Sequence, residues 1–239
     1  DKTVFQSYSI GEDTNFVAQD KFRISTFNNF LKRFKKKYAL NPGSKVLDIG
    51  TAGGAFLEAA RMQGLDAYGV EPSKWLSSYA RSKGLNVVTG SLDDAKFDKY
   101  SFDVVTLWDV IEHLTDVNNV LESIHKLLNP NGLLVVNFPD FGSFPAKILG
   151  KKWPFLLSVH LLYFNRQNMK LLLEKNGYCL VEVSRHAQSL GLGYVLMRAS
   201  AYFPFIRIFE KLSFKLGISN IPIIYWIGQT RIIAKKNEN

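Results

Sequence analysis

The chain has 239 residues, 46% of them apolar, and a formal net charge of +9. That length suits one large globular domain (1–239) with room for insertions and a sizeable core. A single cysteine, Cys179, excludes an intrachain disulfide or a multi-cysteine zinc site, and no unbroken apolar run reaches the roughly 18 residues of a membrane span.

The positive balance is compatible with nucleic acid, anionic lipid or phosphorylated ligands. The basic runs at 32–37, 151–152 and 231–236 are short, and none forms a nucleic-acid-binding module, so no nucleic-acid partner is expected. A reducing, cytoplasmic setting is the expectation.

In chain order, residues 1–27 form an aromatic lead-in (Phe5, Tyr8, Phe16, Phe22, Phe27) that packs on the core or covers a site. Residues 1–44 form a helical N-terminal segment, its helix spanning 25–38 with Phe27, Phe30, Leu31 and Phe34 on one face. Strands are expected at 45–49, 67–70, 87–88, 103–107, 133–138 and 178–184, with helices between most of them. Asn129-Pro130-Asn131-Gly132 reads as a strong turn before the fifth strand. A helix over 166–176 stops at Gly177. The last strand is expected to run from 223 to 234 with a bulge at Gly228. Segments 140–162 and 190–219 break the alternation and read as insertions that build an acceptor site. The alternation itself predicts a doubly wound, mostly parallel, Rossmann-like sheet with helices on both faces and helical insertions toward the C-terminus.

The stretch V-L-D-I-G-T-A-G-G-A-F at 46–56 organises this pattern. It is a buried strand, a glycine turn that brings bare backbone close to a ligand, and a helix start. Glu71 ends the second strand about 20 positions on, the spacing used to hold a ribose hydroxyl pair. A dinucleotide would want G-x-G-x-x-G here; Gly50, Ala52 and Ala55 occupy those places, which fits poorly. The ends of the first four strands (the 50–54 turn, Glu71, 90–92, and Trp108 with Asp109) converge where such sheets bind ligands.

The ordered motifs L-D-I-G (47–50), G-V-E-P-S (69–73), F-D-V-V (102–105), D-V-I-E-H-L (109–114) and N-P-N-G (129–132) resemble those of class I S-adenosylmethionine-dependent methyltransferases. The resemblance is strong over 46–139 and weaker over 160–178, where H-L-L-Y-F-N begins. It implies a seven-stranded sheet and S-adenosylmethionine as cofactor. It implies that Asp48 and Gly50, with Thr51, Ala52 and Gly54 of the turn, line the methionine end. By the same resemblance Glu71 accepts from the ribose hydroxyls, Ser91 and Leu92 lie by the adenine, and Trp108 with Asp109 flanks the methionine portion. One departure is Ala52, where the group usually has the middle glycine of its turn.

Methyl transfer from a sulfonium mainly needs alignment and exclusion of water, and a base only where the acceptor must lose a proton. His160 is the base candidate, with Tyr163 as a second polar group; each can equally be a packed structural residue. Asp109, Glu112 and His113 stand at i, i+3 and i+4, which on a helix puts two carboxylates and an imidazole on one face. That allows a divalent metal, and ubiquinone-pathway O-methyltransferases carry a similar E-x-x-E-H stretch.

Segment 194–216 mixes aromatic and aliphatic residues with Arg198, Arg207, Lys211 and Lys215. It can lie on a membrane, cover a pocket or form a homodimer contact. The reading is methyl transfer to a small-molecule or lipid-like acceptor, with O-methylation expected from the resemblance. Loss of turnover on a retained cofactor fold, or a nucleic-acid acceptor, stands as the alternative.

Overall fold

Near-continuous apolar runs mark strands covered on both faces. The computed structural model describes residues 17–237; the expectations placed on Phe5, Tyr8 and Phe16 lie outside the described residues. Its strands are Lys45–Ile49 (β1), Asp66–Glu71 (β2), Asn86–Thr89 (β3), Phe102–Trp108 (β4), Leu128–Pro139 (β5), Tyr178–Arg185 (β6), Gln188–Gly191 (β7), Pro222–Tyr225 (β8) and Gln229–Lys236 (β9). Seven of them form one sheet in the order β3-β2-β1-β4-β5-β9-β6. The first five pair in parallel, and β9 runs antiparallel to both β5 and β6. The order reverses between β1 and β4, so the ligand crevice of such a sheet falls at their C-terminal ends.

The helices are Asp20–Tyr38 (α1), Ala55–Met62 (α2), Lys74–Ser82 (α3), Val117–Leu127 (α4), Phe144–Leu149 (α5), Arg166–Lys175 (α6), Leu192–Ser200 (α7) and Arg207–Lys215 (α8). Strand alternation divides the core in two. Val46, Val104, Val135 and Ile233 face Leu31 and Phe34 of α1 and Phe56, Leu57 and Ala60 of α2. Leu47, Val105, Leu134 and Val136 face Leu121 and Ile124 of α4 and Met169 and Leu173 of α6. Side-chain caps start the helices where the sequence offers them. Ser73 accepts from Leu76 N–H and Asp116 from Asn119 N–H, and Asn165 with Asn168 forms a reciprocal capping box.

Three sequence expectations are adjusted. The first helix begins at Asp20, because Phe22 is buried on the same face as Leu31 and Phe34. The Asn129–Gly132 turn is an irregularity inside β5: Phe102 pairs with Leu128 and Val104 with Leu133, so the intervening residues loop out, with Asn131 at φ +64°. The last strand is two. β8 pairs with β7 in a separate ribbon, and β9 enters the main sheet. Gly228, at φ +110°, makes the break; a Cβ there would collide with the Ser143 hydroxyl. Among the described residues no helix is long and apolar enough to cross a membrane.

Candidate functional site

The glycine turn is built by close approach. The N–H groups of Gly50 and Thr51 donate to the Val70 carbonyl at 2.8 and 3.1 Å, which bends the chain across the end of β2. Gly50 sits at φ +70°, and a Cβ on it would lie 2.5 Å from Val110 Cγ2, so only glycine fits. Gly54, at φ +82°, is closed in the same way by Leu85. Ala52 takes φ +47°, a left-handed conformation that costs a non-glycine residue roughly 1 kcal/mol. Its N–H is used: it donates to Glu71 Oε2 at 2.8 Å, while Ser73 N–H donates to Oε1 at 2.8 Å. The turn and the acid at the end of β2 are therefore one hydrogen-bonded unit.

The end of β3 joins the same unit. Gly90 N–H donates to the Glu71 carbonyl at 3.0 Å, and Ser91 donates to Asp94 through both its N–H and its hydroxyl. Over the turn lies the start of α1, where a Cβ on Gly53 would be 3.0 Å from Val17 and 3.2 Å from Asp20 Oδ2. Lys83 ties Asp20 and Glu58 together there.

Asp48 is 2% exposed and accepts the Thr106 hydroxyl at 2.6 Å. Burial pushes its carboxyl up to about 7, against the hydroxyl's opposing effect. Asp109 closes β4 at φ +56°. It accepts from Asn137 Nδ2 at 2.7 Å, from Gln229 Nε2 at 2.9 and 2.8 Å, and from Gln188 Nε2 at 3.4 Å. Burial raises it to about 6, with those amides acting in the other direction. Thr106, Gln188 and Gln229 were not singled out from sequence. Asn137 carried a signal, being the one polar residue in the 133–138 run.

Trp108 points to the α1 face. Its indole contacts Phe27, Phe30, Phe56 and the buried His186, with ring centroids 4.9 to 5.8 Å apart, and its Nε1 is buried without a hydrogen-bond partner.

On the other side of Asp109, the sequence-predicted acid–histidine pair meets the predicted base. Ligand-type atoms of Glu112, His113 and His160 lie within 4.8 Å of one another. The His113 and His160 rings are edge to face at 4.7 Å, and backbone N–H groups of Leu161 and Leu162 donate to the Glu112 carbonyl, holding the 160–162 segment against the 3-10 turn Ile111–His113. The Asp109 carboxylate instead faces Asn137 and Gln229.

Glu112 is 2% exposed and both carboxylate oxygens lack a hydrogen-bond partner. Burial, and then the Asp109 charge, push it well above the usual carboxylate range. His160 is also buried, its Nδ1 has no partner, and burial followed by the neighbouring His113 lowers it to about 4. It is therefore a neutral imidazole at pH 7. His113 Nδ1 donates to the Val159 carbonyl at 3.0 Å. Tyr163 stands with its ring 6.0 Å from His160 and donates its hydroxyl to the Leu157 carbonyl at 3.1 Å. A buried carboxylate without a partner costs several kcal/mol unless it is protonated or paired. Two nitrogens beside it make a cation a chemically suitable partner. The His113 bond to a carbonyl is the kind that orients a metal-ligating imidazole.

A doubly wound sheet in this order, with a glycine turn hydrogen-bonded to an acid at the end of β2, defines a class I S-adenosylmethionine-dependent methyltransferase. The comparisons agree. A family model described as a methyltransferase domain matches residues 20–183, and the chain belongs to that family. It is 33% identical over 119 residues to a ubiquinone biosynthesis O-methyltransferase of Azorhizobium caulinodans, a match covering 46% of this chain and 47% of the relative. It is 25% identical over 154 residues to the C-methyltransferase NovU of Streptomyces niveus, covering 62% and 36%. The chain thus spans about half or less of these curated relatives. Among solved structures, an S-adenosylmethionine-dependent methyltransferase from Thermotoga maritima superposes with a TM-score of 0.63 at 20% identity, covering 98% of both chains. At that identity the match shows the fold.

Proposed function

We propose that this methyltransferase transfers the methyl group of S-adenosylmethionine to a hydroxyl of a small, lipid-like acceptor, in a cytoplasmic setting. The observation that carries the reading is the neutral, unpartnered His160 nitrogen beside the buried Glu112, on a turn that directly follows the ligand end of β4. The 50–54 turn, Asp48, Trp108 and Asp109 would hold the methionine end of the cofactor, Glu71 its ribose, and Ser91 and Leu92 its adenine. His160 would take the proton from the acceptor hydroxyl as the methyl arrives, with Tyr163 bounding the acceptor. Water exclusion falls to the 140–162 segment, where Trp153 is 1% exposed and donates to the Ile227 carbonyl at 2.7 Å. The lipid-like acceptor class draws on the name of the Azorhizobium relative and on the apolar residues Leu161 and Leu162 next to His160.

The Glu112 cluster supports a second reading, a divalent cation held by Glu112, His113 and His160. When bound, such a cation would act as a Lewis acid on an acceptor oxygen. The residue set fits, since it combines one carboxylate with two imidazoles.

Calorimetry with S-adenosylmethionine and release of S-adenosylhomocysteine in the presence of phenolic or catecholic lipids test the main reading. Cofactor binding without turnover on any hydroxylated acceptor would sink it. Turnover lost on chelation and restored by one divalent metal, but not in Glu112→Gln, would select the metal reading over His160 as a metal-free base.

A further inference from the structure

Helix α8 is built inside out for a water-facing helix. Ile208, Phe209 and Leu212 are 68%, 54% and 46% exposed, and Phe205, in the 3-10 turn ahead of it, is 69% exposed. The inward side is polar: Ser213 is 2% exposed, and Glu210 accepts the Ser200 hydroxyl of α7 at 3.2 Å. A soluble helix places its apolar stripe on the core. Here these apolar side chains, including the Phe205 and Phe209 rings, look outward, and contiguous exposed apolar surface of this kind marks a contact site.

The surrounding charge says what kind of contact. Arg207, Lys211 and Lys215 are exposed among these apolar residues. Residues 141–239 hold fourteen Lys and Arg against four Asp and Glu, whereas residues 1–140 hold sixteen against seventeen. The whole positive balance of the chain therefore lies in the part that carries α8. The basic pair Lys151 and Lys152 adjoins it: Lys152 Nζ stands 5.4 Å over the Phe203 ring, and the Tyr202 hydroxyl donates to the Pro154 carbonyl at 3.4 Å.

We propose that α8 and the turn before it form a docking surface for an anionic phospholipid bilayer, lying in the interface with Phe205, Ile208, Phe209 and Leu212 in the acyl boundary and the cations at the phosphates. Interleaved cations and large apolar side chains on one short helix match that environment. A nucleic acid would meet the charges but leave the aliphatic side chains in water. A symmetric second copy would set like charges against each other. The same 186–228 excursion brings Gln188 to Asp109, so docking would hold the candidate site at the membrane surface. The inference rests on this surface and not on the proposed acceptor; cofactor binding and turnover of a water-soluble acceptor report on that reading separately.

The test is co-sedimentation of the purified chain with vesicles of phosphatidylcholine alone or with about one third phosphatidylglycerol, at about 0.1 M salt. Binding is expected to the anionic vesicles only and to weaken with salt. Arg207→Ser with Lys211→Ser and Lys215→Ser should lower the partition coefficient about a hundredfold, at about fivefold per cation. Phe205→Ser with Ile208→Ser and Phe209→Ser should lower it by at least tenfold at unchanged net charge, with circular dichroism and S-adenosylmethionine affinity as for the parent. No binding of the parent to anionic vesicles would overturn the proposal. So would binding unaffected by the apolar triple substitution, or a parent dimer in analytical ultracentrifugation that this substitution turns into monomer.

Discussion

The two halves of the molecule use apolar residues in opposite ways. In the half that holds β1 to β5, alternation along the strands sends most large apolar side chains to one of two buried layers, and polar groups gather at the strand ends. In the half after Asp140, Phe144, Ile148, Phe205, Ile208 and Phe209 are all more than 50% exposed. The first half is governed by its own core. The second shares that core through Met169, Leu173, Tyr178 and Ile232 and adds an exposed apolar face.

The sharpest way to break this division is to disable each half in turn. His160→Ala should lower kcat by about 10²–10⁴-fold, the usual contribution of a positioned base, with S-adenosylmethionine affinity within about twofold of the parent. A parallel loss of cofactor affinity in calorimetry would move His160 into the donor half. Glu71→Ala removes the acceptor of the Ala52 and Ser73 N–H groups. It should weaken S-adenosylmethionine binding by about a hundredfold, two charged hydrogen bonds' worth at the lower end. An unchanged dissociation constant would refute the ribose assignment. Leu121→Ala, in the fully buried α4 layer, should cost about 2–5 kcal/mol in urea unfolding; a loss below about 1 kcal/mol would mean that this layer is not the close-packed core described.

The same contrast explains what could be read from the sequence. The parallel strands were legible because burial on both faces imposes unbroken apolar runs, and Gly50 and Gly54 because positive φ and steric closure leave no other residue. The split of the last strand was not, because apolar runs at 223–227 and 232–234 flank the polar residues 229–231 and read as one strand with a bulge; only the contact of Gly228 with Ser143 and Trp153, about eighty residues away, makes the break. At the site, Glu71 was visible from its spacing and Asp109 from its place at the end of the fourth strand. Their surroundings were not: Gln229 reaches Asp109 only because β9 inserts antiparallel beside β5. The helical period at 109–113 pointed to Asp109 as the companion of Glu112 and His113. The chain instead leaves β4 through a left-handed Asp109 and a 3-10 turn, and the residue beside that pair in space is His160.

Two smaller effects sharpen the comparison further. Asp48 is held in the buried layer with its carboxyl raised to about 7 from 3.8, so between pH 4 and 7 the folded chain binds a proton that the unfolded chain has released. Stability from this group is therefore present below pH 4 and lost as pH rises through 7. Asp48→Asn, which can still accept the Thr106 hydroxyl, should lack that slope. It should gain about 1–3 kcal/mol over the parent at pH 8 and little at pH 4, read from urea midpoints at the two pH values. A stability difference that does not change with pH would mean that Asp48 is ionised when folded.

The smallest expected change is the most telling for the second half. Phe209→Ser deletes a ring that would cost several kcal/mol in a core. Here the ring is 54% exposed on a helix whose buried side is Ser213, so unfolding stability in the absence of lipid should stay within about 0.5 kcal/mol. A cost near that of Leu121→Ala would show that Phe209 is packed within the free protein and would place α8 with the core. Near-neutrality in water, combined with lost vesicle binding, would show that the apolar face of α8 is retained for contact and contributes almost nothing to folding.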